Sequence, residues 1–123
     1  MSRILIYEPR PDGEDPILQA GAGHDVVVSH TREALLDALA VRRPDLLVYV
    51  LEDQIADVAV LSLVRRMSAD LPIILLSAPA GLEARRSVQE LKPTYYGVFP
   101  LEPTELRDAV RGALDHHRRA AVS

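Results

Sequence analysis

The side chains with chemical potential cluster where short apolar runs end. Glu8 follows Ile4-Leu5-Ile6-Tyr7, the pair Glu52-Asp53 follows Leu46 to Leu51, Ser77 closes Ile73-Ile74-Leu75-Leu76, and Phe99 follows Gly97-Val98. Carboxylates at such places are oxygen donors for a hard cation or acceptors of a phosphoryl group. Each also has a plain structural reading. Glu52 and Asp53 form a solvated pair at a strand end, Ser77 caps its strand with its hydroxyl, and Tyr96 is a half-buried ring with its OH at the surface.

Other chemistries find less support. The chain has no cysteine, so neither a disulfide framework nor a thiolate metal site exists. His24 and His30 flank the second apolar run without a nucleophile nearby, and no catalytic triad is present. His116-His117 reads as a solvated helix end, where His and Arg complement the macrodipole. Gly21-Ala22-Gly23 precedes a strand instead of joining strand to helix, so it offers no helix N-terminus to a phosphate. Nothing here points to an enzyme, and no cofactor is expected.

The elements that position these groups follow from periodicity. Five runs rich in Ile, Leu and Val (4–7, 26–29, 46–51, 73–77 and 97–99) lack apolar/polar alternation, which predicts strands of a parallel sheet buried on both faces. Thr31 is an N-cap before a helix that puts Ala34, Leu35, Ala38 and Leu39 on one face and ends at Arg42-Arg43-Pro44. A helix over Val58–Ser68 turns Leu61, Val64 and Met67 inward, a shorter one covers Leu82–Leu91, and Pro103-Thr104-Glu105 opens a last one with Leu106, Ala109, Val110, Ala113 and Leu114 inward. The turn formers of residues 9–16 leave only about Pro16 to Ala20 for a first helix after a loose loop. Strand then helix, five times over, with right-handed crossovers, predicts a three-layer α/β sandwich.

With 123 residues, 48% of them hydrophobic, the chain suits one domain, taken as 1–119 with a tail at 120–123. A net charge of −4 argues against a nucleic-acid surface. The start Met1-Ser2-Arg3 enters a strand at once, and no apolar run nears the roughly 18 residues that cross a bilayer, so a cytoplasmic location without membrane contact is expected.

Arranged in this order, the runs Arg3 to Pro9, Gly23-His24-Asp25-Val26-Val27, Arg43-Pro44-Asp45-Leu46-Leu47, Leu71 to Ala78, Tyr96 to Leu101 and Phe99 to Leu106 resemble the response regulator receiver domain family, from Arg3 to about His117. The resemblance implies a flavodoxin-like (CheY-like) sheet in the order 2-1-3-4-5 with helices on both faces. It also implies a pocket in which an acidic pair and a phosphoacceptor Asp hold Mg²⁺ while a lysine neutralises the phosphoryl. In the matching positions Glu8 keeps one carboxylate, Pro9 replaces the second, and Phe99 replaces the lysine, so that Mg²⁺ binding, at Glu8 if anywhere, is weakened or lost. Counting on from Pro44 puts the phosphoacceptor slot on Val50; counting back from Arg65-Arg66-Met67 puts it on Glu52. Phe99-Pro100 stands for a bond that is cis in the family, and Ser77 and Tyr96 stand for its reporter hydroxyl and its switching aromatic.

The reading is a degenerate pseudo-receiver, with the vacated pocket near Phe99 filled by apolar surface. It would work in bacterial signal transduction or transcription regulation as a phosphorylation-independent interaction module. A protein partner or a homodimer would use the surface of the fourth helix, fifth strand and fifth helix, drawing on Arg85, Glu90, Tyr95, Tyr96, Glu102, Arg107 and Arg111, and an output domain could follow in the full-length protein. Two alternatives stay open: a conventional receiver phosphorylated on Asp53, and a small-ligand sensor using the pocket near Glu8, Ser77 and Phe99.

Overall fold

The computed structural model describes residues 2–10, 14–79 and 81–122. Its elements alternate: β1 (Arg3–Tyr7), α1 (Glu14–Ala20), β2 (Asp25–Ser29), α2 (Arg32–Val41), β3 (Leu46–Val50), α3 (Gln54–Met67), β4 (Ile73–Ser77), α4 (Leu82–Gln89), β5 (Tyr95–Val98) and α5 (Pro103–Val122). The strands form one parallel sheet in the order β2-β1-β3-β4-β5, the predicted flavodoxin-like arrangement. β1, β3 and β4 are interior strands and almost wholly buried, whereas the edge strands β2 and β5 are half-exposed, which is why the unbroken apolar runs are purest in the middle three.

Side-chain alternation divides the core. Ile4, Ile6, Val48, Val50, Ile74 and Leu76 pack under α1 and α5, which contributes Leu106, Val110, Ala113 and Leu114. Leu5, Tyr7, Leu47, Tyr49 and Leu75 face α2, α3 and α4 through Leu35, Leu61, Val64 and Val88. Arg65 ties the base of this second layer together, donating to the carbonyls of Leu71 (2.6 Å), Leu91 (3.1 Å) and Lys92 (3.1 Å) and so joining the entries to β4 and β5.

Several boundaries differ from the sequence expectation. α3 begins at Gln54, four residues before Val58, because Asp53 caps it by accepting from the Ala56 N–H. β5 starts at Tyr95, pairing Ile74 with Tyr95, and ends before Phe99. Met67 and Ala34, expected inward, face solvent. α5 continues past residue 119 to Val122, and the short first helix begins at Glu14, two residues before Pro16. The loop at 11–13 lies outside the described residues. Thr31 caps α2 through Oγ1, 3.1 Å from the Ala34 N–H.

Candidate functional site

Parallel α/β sheets place their functional groups beyond the carboxyl ends of the strands, at the point where the strand order reverses; here β1 and β3 lie side by side, and the chain leaves β1 for β2 on one side and β3 for β4 on the other. Tyr7 pairs in register with Tyr49, so Glu8 and Val50, the next residue of each strand, lie level at that end. Val50 is buried in the layer under α1 and α5. Glu8 is fully buried too, and a carboxylate removed from water requires a partner.

That partner is Arg10, which the sequence reading passed over. Its Nε donates to Glu8 Oε1 at 2.9 Å, its terminal nitrogen to Oε2 at 2.8 Å, and its backbone N–H to Oε1 at 2.8 Å. The fork is bidentate, the geometry in which guanidinium binds carboxylate best. The hydrogen bond to Glu8 raises the Arg10 pKa above its ordinary value, against an opposing effect of burial. On its other side the guanidinium stacks over the Phe99 ring, 4.2 Å from its centroid. The expectation of an apolar filling is therefore half right: Phe99 supplies the apolar floor, and a cation lies on it. His30 Nδ1 lies 3.0 Å from the Glu8 carbonyl oxygen, completing the collar. Phe99–Pro100 is cis, as expected.

Asp57 forms a second polar centre that the sequence reading missed. It sits in the first turn of α3, fully buried, and accepts four hydrogen bonds: from Tyr49 OH (2.5 Å), Arg32 Nε (3.0 Å) and the N–H groups of Glu52 (2.7 Å) and Asp53 (2.9 Å). The ring of Tyr7 lies against that of Tyr49, centroids 4.5 Å apart. Burial, and then the bond to Asp57, push the Tyr49 pKa far up, while the bond to Asp57 raises that of Arg32. The loop after β3 is thereby nailed to α3 by an internal carboxylate. A signal for it existed: Asp57, Leu61 and Val64 share the i, i+4, i+7 stripe that α3 buries, so an ionisable residue stood on an inward face.

The remaining candidates distribute as follows. Glu52 is exposed, with only its backbone N–H engaged by Asp57, and Asp53 spends its carboxylate on the α3 cap. The Ser77 hydroxyl donates to the Ala78 carbonyl (2.8 Å) and meets Tyr96 OH at 2.6 Å, so the Tyr96 phenol is turned onto Ser77 and not out to solvent as expected. A cavity of about 200 Å³ opens beside them, lined by Leu51, Glu52, Ser77, Val88 and Tyr96. Neither Glu8 nor Phe99 lines this cavity. Among the described residues no group of three or more His, Asp or Glu side chains could hold a metal ion. His117 has no described side chain.

Of the residues read as an interface, Arg85, Glu90 and Glu102 are exposed and Tyr95 and Tyr96 half-buried. The Tyr95 hydroxyl donates to Glu105, a bond that pushes its pKa up to about 12. Arg107 and Arg111 correct the expectation. They line the groove between α1 and α5 with Gln19, Ala22 and His24, on the side of the buried α5 stripe away from Glu105 and β5.

No protein-family model matches the sequence, and a search of curated proteins finds no match. Solved structures do resemble it: a CheY-like response regulator receiver domain protein from Methanospirillum hungatei JF-1 superposes with a TM-score of 0.87 at 19% identity over 98% of each chain. The signal receiver domain of an HD domain-containing protein from Pseudomonas fluorescens Pf-5 gives a TM-score of 0.86 at 20% identity over 96% of this chain and 98% of that one. NtrX from Brucella abortus in complex with ATP gives 0.81 at 20% identity, with 98% of this chain covering 28% of NtrX. The fold of the chain is the CheY-like receiver fold.

Proposed function

We propose that the chain is a pseudo-receiver, a phosphorylation-independent interaction module of a bacterial signalling or transcription-regulating protein, and not an enzyme. One observation carries the reading: at the strand ends where a receiver neutralises a phosphoryl group, both oxygens of Glu8, the acid at the end of β1, are engaged by Arg10. Mg²⁺ needs several oxygen ligands in near-octahedral geometry, and to take up Glu8 it would have to compete with a guanidinium fork that already engages both carboxylate oxygens. Val50, level with Glu8 and sunk in the core, supports the assignment of the phosphoacceptor slot to an apolar residue.

A second feature supports independence from phosphate. Ser77 and Tyr96, counterparts of the receiver's reporter hydroxyl and switching aromatic, are already hydrogen-bonded to each other, so their contact needs no phosphoryl group to form. The face of α4 and β5, with Arg85, Glu90, Tyr95, Tyr96 and Glu102, is the partner-binding surface in this reading. The output domain is a separate segment of a longer regulator, as NtrX is longer than the matched region. The protein acts in the cytoplasm without contacting nucleic acid or membrane through this domain; no helix among the described residues is long and apolar enough to cross a bilayer.

The test is intact-mass measurement after incubation with acetyl phosphate and Mg²⁺, beside titration calorimetry with Mg²⁺ alone. No added phosphoryl group and no Mg²⁺ heat are expected. A phosphoryl adduct that disappears in Asp53→Asn overturns the reading in favour of an atypical phosphoacceptor.

A further inference from the structure

α3 exposes apolar side chains where a solvent-facing helix ordinarily carries charge. Ile55 is 87% exposed, Leu63 43% and Met67 53%, and Ala59 between them is exposed as well. Residues 55, 59, 63 and 67 recur every fourth position, which stacks them into one continuous ridge about 18 Å long. At the foot of the ridge Met67 shares a small hollow with Leu39, Val64 and Arg43, and Val41 at the end of α2 is 84% exposed. Single exposed apolar residues are ordinary, but a full-length ridge of them marks a contact surface.

The charges around the ridge say what covers it. α2 and α3 both run from the carboxyl end of the sheet to its amino end. Exposed acids gather near their starts (Glu33, Glu52, Asp53), with Asp37 midway along α2, and exposed arginines near their ends (Arg42, Arg43, Arg66). Asp70, the exception at the basic end, interacts with Arg65. A surface acidic at one end and basic at the other complements itself only when turned end for end, which is the arrangement of a twofold isologous contact. The side chains agree: pairing α3 antiparallel with its copy sets Ile55 against the partner's Met67 at the two ends, and at the centre the small Ala59 faces the partner's larger Leu63. A parallel pairing would set acid on acid, arginine on arginine and Leu63 on Leu63.

We propose that the α3 ridge is the self-association surface of this chain, and that a second copy covers it in antiparallel, twofold symmetry. The contact lies on the opposite side of α4 from the β5 surface assigned above to the partner protein, so both can be engaged together. Each helix also presents its acidic start to the arginines of the other.

Sedimentation velocity over a concentration series reads the dimer directly. Leu63→Glu and, separately, Ile55→Glu each raise the dissociation constant at least about tenfold, with far-ultraviolet circular dichroism unchanged because both sites are exposed. Arg66→Glu weakens the dimer, and adding Glu52→Arg to it restores affinity. Because the chain has no cysteine, orientation can be trapped by oxidation: a mixture of Ala59→Cys and Leu63→Cys proteins forms the mixed disulfide in excess over either homodimer. A monomer at every concentration up to about 1 mM overturns the proposal. So does a dimer that withstands Leu63→Glu but is lost in Arg85→Glu, and so do homodisulfides in excess.

Discussion

Two residues with no place in a phosphorylation mechanism organise the carboxyl end of the sheet. Arg10 exists, in physical terms, because Glu8 is buried. Arg10→Ala leaves the Glu8 carboxylate in the core without a counter-charge and lowers stability by about 2–4 kcal/mol, below the range of a fully enclosed pair because Arg10 itself is partly solvated. Removing the acid along with its partner, as in Glu8→Leu with Arg10→Leu, costs less than Arg10→Ala alone. Urea denaturation of the native protein and the two variants measures both statements, and a loss in the double variant equal to or larger than that of Arg10→Ala would refute the ion-pair account. Tyr49→Phe is the matching test at Asp57. It deletes one donor of four to a buried carboxylate, and about 1–3 kcal/mol is lost. At this scale the sequence was legible for side-chain chemistry and silent about partners. That Pro9, Val50 and Phe99 bring no carboxylate and no ammonium is plain from their types. Arg10 and Asp57 act through partners that only the folded chain brings near: Asp57 meets Arg32 from 25 residues away.

Elements were easier to foresee than their ends. The five apolar runs place every strand to within two residues, since burial on both faces leaves a compositional mark no loop imitates. Helix starts are governed by caps: α3 begins four residues before its apolar spacing predicts, because the Asp53 side chain holds the first turn. The late predicted start hides Asp57, which falls inside the helix only if the helix begins at Gln54. Asp57 fixes the β3–α3 connection to α2 through Arg32 and to its own backbone through Glu52 and Asp53, so this connection behaves as part of α3. Asp57→Ala frees those two N–H groups, and hydrogen exchange at Glu52 and Asp53 accelerates more than at the middle of β3. Unchanged protection there would mean that Asp57 is not what holds the loop. At the other end of α3, Arg65→Lys keeps the charge but gives up the planar fork that spans the carbonyls of Leu71, Leu91 and Lys92, and melting falls although charge is conserved.

For the whole molecule, the buried phenols make stability depend on alkaline pH. Burial, its largest cause, raises the pKa of Tyr7, and burial followed by the bond to Asp57 raises that of Tyr49. Tyr95, through Glu105, is held near 12 at the sheet edge. In the unfolded chain all three release their protons near the ordinary value of 10.0. Above that pH the unfolded state binds fewer protons than the folded state, so the free energy of unfolding decreases as pH rises. The contribution is whole below pH 10 and is lost on the way up through the folded-state values, at about 1.4 kcal/mol per pH unit for each fully buried phenol. Tyr7 and Tyr49 stack against each other between β1 and β3, so they lose their protons only as the sheet's centre opens. Urea midpoints taken from about pH 9 to pH 11 fall steeply in the native sequence. In Tyr49→Phe the midpoint starts lower, for want of the bond to Asp57, but its decline with pH is shallower. Parallel declines in the two proteins would show that the Tyr49 phenol is not what couples the core of this sheet to the proton concentration.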